Sequence, residues 1–298
     1  MSHRRHGGNA NANNLVIYHN PLGSLTFDPT ITTSISTTVY WDTEVGRFTT
    51  TGTTHNLSYT PTAGAKVCKV TVVGGLGLVS AVDFTADAIT KISGLSKCRN
   101  LVSYTHTGEA LYTVNFSQLP PSIRTIVTGI VTPAAGSLSE ISQINTLNVS
   151  GVGVVGKISD LVAYTGQSLL LRGTRVLASS IAGLNLSTIR DINVSNVGWD
   201  NSDADHDADT VIDSIYQNRT SIGYATPTLE ILTSNSAPSG DYVDPLVTPG
   251  SGNTDANWFW DGAVNHHWPL LGNPKRWYLT YGPSVGGNPD AFSRWVIT

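Results

Sequence analysis

One six-residue phrase, apolar-x-x-apolar-x-apolar, constrains this chain more than any other feature. It reads Ile123, Ile126, Thr128, again Ile144, Leu147, Val149, and again Ile189, Ile192, Val194. The first two copies start 21 residues apart, and the next interval is 45, close to twice 22. A weaker copy near Leu169 and Leu171 fills the gap, and another precedes the series at Leu101 and Tyr104. A repeat of this length implies one short strand per coil of a solenoid, because a single coil cannot bury its own apolar face and must stack on its neighbours. Chains of this kind offer extended contact surfaces.

Composition agrees. Only 13% of the 298 residues are charged, about half the usual share, while Thr, Val and Ile favour strands. A formal net charge of −4 gives no whole-chain attraction to nucleic acid. The lack of an apolar run of about 18 residues predicts no membrane span. The start, MSHRRHGGNANANN, is basic and lacks a signal peptide's apolar stretch, so the expectation is folding in the cytoplasm of the producing cell. Residues 1–14 read as a flexible basic arm, with Arg4 and Arg5 as candidate partner contacts. Cys68 and Cys98 fit no zinc spacing and read as isolated buried thiols. Six N-x-S/T triplets, at Asn56, Asn115, Asn148, Asn185, Asn193 and Asn218, read as turn chemistry.

Residues 15–73 carry strand-sized runs: Leu15–Tyr18, Thr37–Trp41, a Thr-rich run between Gly46 and Gly52, and Lys66–Val73. Trp41-Asp42, Tyr59, Gly64 and Lys69-Val-Thr-Val72 resemble the motifs of PKD-like β-sandwiches, although the glycines of that family's Trp-Gly-Asp-Gly turn are absent. The resemblance implies an Ig-like β-sandwich over 15–73. From 74 to 240 the repeat resembles a degenerate leucine-rich-repeat solenoid. Asn196 and Asn235 match the family's conserved Asn position, where Gly129 and Gly151 stand in other coils. A parallel β-helix is the alternative for this segment. Near its end, Asp209–Thr220 has helical apolar spacing, followed by a strand at Thr228–Leu232. That ending resembles the terminal repeat of leucine-rich proteins of tailed phages and their bacterial relatives.

Residues 241–298 form a Trp-rich C-terminal β region, holding five of the seven tryptophans with predicted strands at Arg276–Tyr281 and Phe292–Ile297. The expected class is therefore mainly β: a PKD/Ig-like β-sandwich, a leucine-rich-repeat-like solenoid with a short terminal helix, and an aromatic-rich β cap. Large aromatics anchor interfaces, which makes Trp258, Trp260 and Trp277 candidate partner contacts.

The sharpest local anomaly is Asp200–Asp209, where Asp203, Asp205, Asp207 and Asp209 alternate. Alternating carboxylates resemble the first half of a calcium loop, but Ala208 replaces its glycine and Ser214 its closing Glu. Helix capping is the competing reading, and the expectation is no obligatory metal. No catalytic triad or phosphate loop is written in the chain. The acids Glu109, Glu140, Asp160 and Asp191 are too scattered for a glycosidase cleft, so no enzymatic activity and no cofactor are expected. The resemblances imply a structural virion protein of a tailed phage: a head fibre, decoration or adaptor-like component contacting other virion proteins and copies of itself. The alternative is a receptor- or glycan-binding module of a phage tail or bacterial adhesin, whose partner would be a host-surface glycan or protein.

Overall fold

The computed structural model describes residues 14–20, 26–85, 88–107, 112–129, 133–162, 164–200 and 202–206, and beyond these 210, 211, 214, 218, 228–230, 277–278 and 296–297. These residues are mainly β, with short 3-10 turns between strands. The chain divides into two compact units, Met1–Pro133 and Ala134–Thr298.

The first unit contains β1 (Leu15–His19), β2 (Thr30–Thr43), β3 (Gly46–Asn56), β4 (Lys66–Val72), β5 (Val79–Asp83), β6 (Ile89–Ser93), β7 (Ser103–His106), β8 (Val114–Asn115) and β9 (Thr125–Thr128). The long β2 organises it. On one edge it forms a hairpin with β3, placing Trp41 opposite Phe48 and Thr43 opposite Gly46. On the other edge its start pairs antiparallel with β5, and its end, Val39–Asp42, with β4. A register shift between Thr32 and Thr33 accompanies the change of partner, the usual role of a bulge. β4 pairs with β1 and β1 with β6, both antiparallel. The sheet built by 15–73 is thus completed by a strand from 89–93. Trp41, Cys68, Val70 and Ile17 are fully buried.

From β5 onward the pairing becomes parallel. Val82 lies opposite Tyr104, and Tyr104 opposite Ile126. This is the sequence repeat made physical: in-register parallel strands one coil apart, with all three side chains buried. Two residues further along, Phe84, His106 and Thr128 form a second buried row. Phe84, Tyr104 and His106 meet edge to face, and His106 stacks on Tyr112 with ring centroids 6.2 Å apart.

The second unit contains β10 (Pro133–Ser137), β11 (Thr146–Asn148), β12 (Ser150–Lys157), β13 (Ser168–Leu170), β14 (Arg175–Leu177), β15 (Asp191–Asn193), β16 (Thr228–Glu230), β17 (Trp277–Tyr278) and β18 (Val296–Ile297). Strands β11, β13, β15, β16 and β18 pair in parallel, aligning Leu147, Leu169, Ile192, Leu229 and Ile297 in one register. The first four of these side chains are fully buried. Each such burial contributes about 1.5–3 kcal/mol. β17 closes the series by pairing antiparallel with β18. A second parallel sheet pairs β12 with β14. Across both units a 3-10 turn recurs at Leu76–Leu78, Leu95–Lys97, Phe116–Gln118, Leu138–Ile141 and Ile158–Asp160, and the first residue of each is buried.

Two irregularities of the repeat have physical causes. The copy around Leu169 is weak because Gly166 stands where its neighbours carry Ile144 and Ile189. A Cβ on Gly166 would lie 2.3 Å from the Asn145 carbonyl and 2.7 Å from the Tyr164 hydroxyl. The buried Tyr164 ring fills that place, its hydroxyl donating to the Ser168 carbonyl and accepting from the Leu147 amide. The alternation of Asn and Gly after the strand reflects backbone conformation. Gly151, Gly173 and Asn196 have φ of 115°, 66° and 63°, the region that Gly and Asn enter at least cost. Gly129 is required for space instead, since a Cβ there would sit 3.0 Å from the Thr107 carbonyl. Asn235 lies outside the described residues.

Candidate functional site

The acidic loop folds against the end of the second sheet. Trp199 is buried beneath it and donates from its indole N–H to the Val176 carbonyl at 2.8 Å. The Asp205 carbonyl accepts from the Ala178 amide at 2.7 Å, just beyond β14. Lys157, the last residue of β12, reaches the Asp205 carboxylate at 2.7 Å. These three bonds tie 199–205 to two neighbouring strands.

Within the loop the carboxylates serve the backbone and neighbouring basic side chains. Asp200 accepts from the Ser202 amide at 3.0 Å, and Asp203 from the Asp205 amide at 2.9 Å. Asp203 also pairs with His206 Nδ1 at 2.9 Å. The hydrogen bond from His206 holds the Asp203 carboxyl below its ordinary value, and the bond to Asp203 raises the His206 imidazole above its own. Asp200 and Asp205 add to that rise through their charge. Residues 204–206 form a 3-10 turn, and the Asn218 amide donates to the Ser214 carbonyl in the helical segment that follows.

Of the alternating carboxylates, Asp203 and Asp205 are thus each bonded to a basic side chain of the chain itself, His206 and Lys157. Asp207 and Asp209 lie outside the described residues. Among the described residues no group of three or more His, Cys, Asp or Glu is arranged to hold a metal ion. Between β14 and the loop is a cavity of about 310 Å³, lined by Arg175, Val176, Leu177, Val197, Gly198 and His206. Sequence reasoning singled out the loop but missed the cavity, because Arg175 and Val197 come from different coils and no local pattern joins them.

The first unit holds a second polar cluster that the sequence did not reveal. His19 is buried and stacks on Phe27 at 4.0 Å. The Tyr59 hydroxyl donates to Glu44 Oε2 at 2.8 Å and lies 3.3 Å from His19 Nε2. Burial lowers the His19 imidazole to about 4, with Lys66 adding to the effect and Glu44 opposing it. Burial and the bond to Glu44 raise Tyr59 well above its ordinary value. Nearby, Asp42 pairs with Arg47 at 2.6 Å.

The remaining sequence candidates are placed as follows. Arg4, Arg5, Trp258 and Trp260 lie outside the described residues. Trp277 belongs to β17, of which the backbone alone is described. Cys68 and Cys98 are both buried and not joined in a disulfide, and burial pushes the Cys98 thiol up to about 12. Three N-x-S triplets are Asx turns: Asn115, Asn185 and Asn193 each accept from the amide and hydroxyl of the Ser two residues on. Asp160 and Asp191 are engaged by the Lys157 amide and the Ser168 hydroxyl. Among the described residues no helix is long and apolar enough to cross a membrane. No family model, curated protein or solved structure matches the chain.

Proposed function

We propose that this chain is a non-enzymatic structural protein that presents a rigid contact surface, and that it belongs to the virion of a tailed phage as a head fibre, decoration or adaptor-like component. The observation supporting the contact role is the in-register row Leu147, Leu169, Ile192 and Leu229, which joins successive coils into one stiff body. Such a body holds its surface residues in fixed relative positions, as an extended contact surface requires. The carboxylates of the acidic loop support the same reading, because Asp203 and Asp205 tether the chain to itself. The virion assignment draws on the PKD-like and leucine-rich-repeat resemblances of the sequence, as do partner copies and other virion proteins as its contacts.

Imaging purified particles labelled against this chain tests the proposal. Label at a fixed position on the particle supports it, as does loss of incorporation when residues 1–14 are deleted from a chain that still folds. The second reading, a receptor- or glycan-binding module, is favoured by the cavity beside β14, which offers a ligand an arginine and a histidine. Unlabelled particles, together with a monomeric chain that binds host envelopes, decide for that reading.

A further inference from the structure

We propose that the cavity between β14 and the 200–206 loop binds a small aliphatic carboxylate. Its volume of about 310 Å³ lies within the range of small-molecule sites, which combine an apolar wall with a few convergent polar groups. Here Val176, Leu177 and Val197 supply the wall, and Arg175 and His206 the polar groups.

Arg175 is exposed, and its guanidinium has no ion-pair partner among the described residues. The planar fork of a guanidinium matches a carboxylate in two parallel hydrogen bonds. His206 is held by Asp203 through Nδ1, which leaves Nε2 as its second polar atom. The groups whose charge acts on His206 are Asp203, Asp200 and Asp205. Asp203 is spent on the imidazole itself, Asp205 on Lys157 and Asp200 on the Ser202 amide. Among the described residues Arg175 is left as the cavity's unmatched cation.

Two observations narrow the ligand. The outer edge of β14 is already taken, because the Val176 carbonyl accepts from Trp199 and the Ala178 amide donates to Asp205. An added peptide strand therefore finds no free ladder there. Among the described residues no Phe, Tyr or Trp lines the cavity, so they offer no stacking platform of the kind that sugars favour, whereas branched aliphatic walls suit a short alkyl group. This assignment goes beyond the contact-scaffold reading and does not depend on it.

Calorimetric titration of the full chain with isovalerate tests the assignment, with isoamyl alcohol and isoamylamine as neutral and cationic analogues. Isovalerate is expected to bind saturably, the alcohol about tenfold or more weakly, and the amine not at all. Arg175→Gln should weaken isovalerate about tenfold or more with an unchanged melting temperature, and Arg175→Lys should retain part of the affinity. Affinity should also fall as pH rises through the titration of His206, a dependence that His206→Gln removes. Equal binding of acid and alcohol, an unaltered affinity in Arg175→Gln, or no binding of isovalerate at millimolar concentration would each overturn the proposal. So would binding confined to a leucine-terminated peptide acid.

Discussion

Gly173 and Asn196 occupy the same place in successive coils. Their φ angles are 66° and 63°, and the Gly173 amide donates to the carbonyl of Ser195, the residue preceding Asn196, at 2.9 Å. Asn196 is the one non-glycine residue with positive φ among the described residues. These two coils leave their inner strands through a left-handed corner, and the side chain tolerated there is decided by the backbone rather than by any ligand.

Asn196→Gly should therefore leave stability nearly unchanged, whereas Asn196→Val and Gly173→Ala should each cost about 1–2 kcal/mol. Urea unfolding midpoints measure the difference. An Asn196→Val protein as stable as the parent would contradict the corner's conformational role.

Leu169 lies between Leu147 and Ile192 in the buried row, so truncating it opens a cavity that both neighbours line. Leu169→Ala should cost about 2–5 kcal/mol, and Val162→Ala, at a site that is 61% exposed, no more than about 0.5 kcal/mol. Similar losses at the two positions would refute the stacking of coils on this row.

His19 makes stability dependent on pH. Its folded value of about 4 lies below the ordinary 6.5, so between these limits the unfolded chain binds the extra proton. Stability is complete above about pH 6.5, declines as pH falls toward 4, and loses at most about 3 kcal/mol from this group. In His19→Gln that slope should flatten when unfolding midpoints are compared at neutral and mildly acidic pH. A slope identical to the parent's would assign the acid sensitivity to other groups.

Calcium should not stabilise the protein, because Asp203 and Asp205 already hold His206 and Lys157. Thermal melts in calcium and in chelator are expected to coincide, and a rise of several degrees with calcium would reverse this reading of the loop. In Asp203→Asn the His206 imidazole should titrate closer to its ordinary value, a shift that the ring's proton resonances report.

The repeat was legible because stacking imposes one apolar face on every coil. Ile126, Leu147 and Ile192 announce it in the chain and are all buried in the fold. Tyr164 and Gly166 obscured one copy, since a ring from outside the phrase supplies the missing apolar volume. His19 and Tyr59 gave no signal, being 40 residues apart and joined through a sheet whose strand order does not follow the chain. The acidic loop stood out by composition alone, and composition does not distinguish a metal ligand from a cap or tether.

The sequence by itself determined the strand class, the period of about 22 residues and the inward face, because burial of one apolar stripe per coil leaves its mark on local pattern. Tertiary structure alone decided that β2 exchanges β5 for β4 as its partner, that the loop carboxylates are consumed by Lys157 and His206, and that Arg175 faces a cavity with Val197 and His206. These relations join residues distant along the chain. Hydrogen-bond pairing and charge neutralisation between such residues depend on where the coils bring them, which no local periodicity encodes.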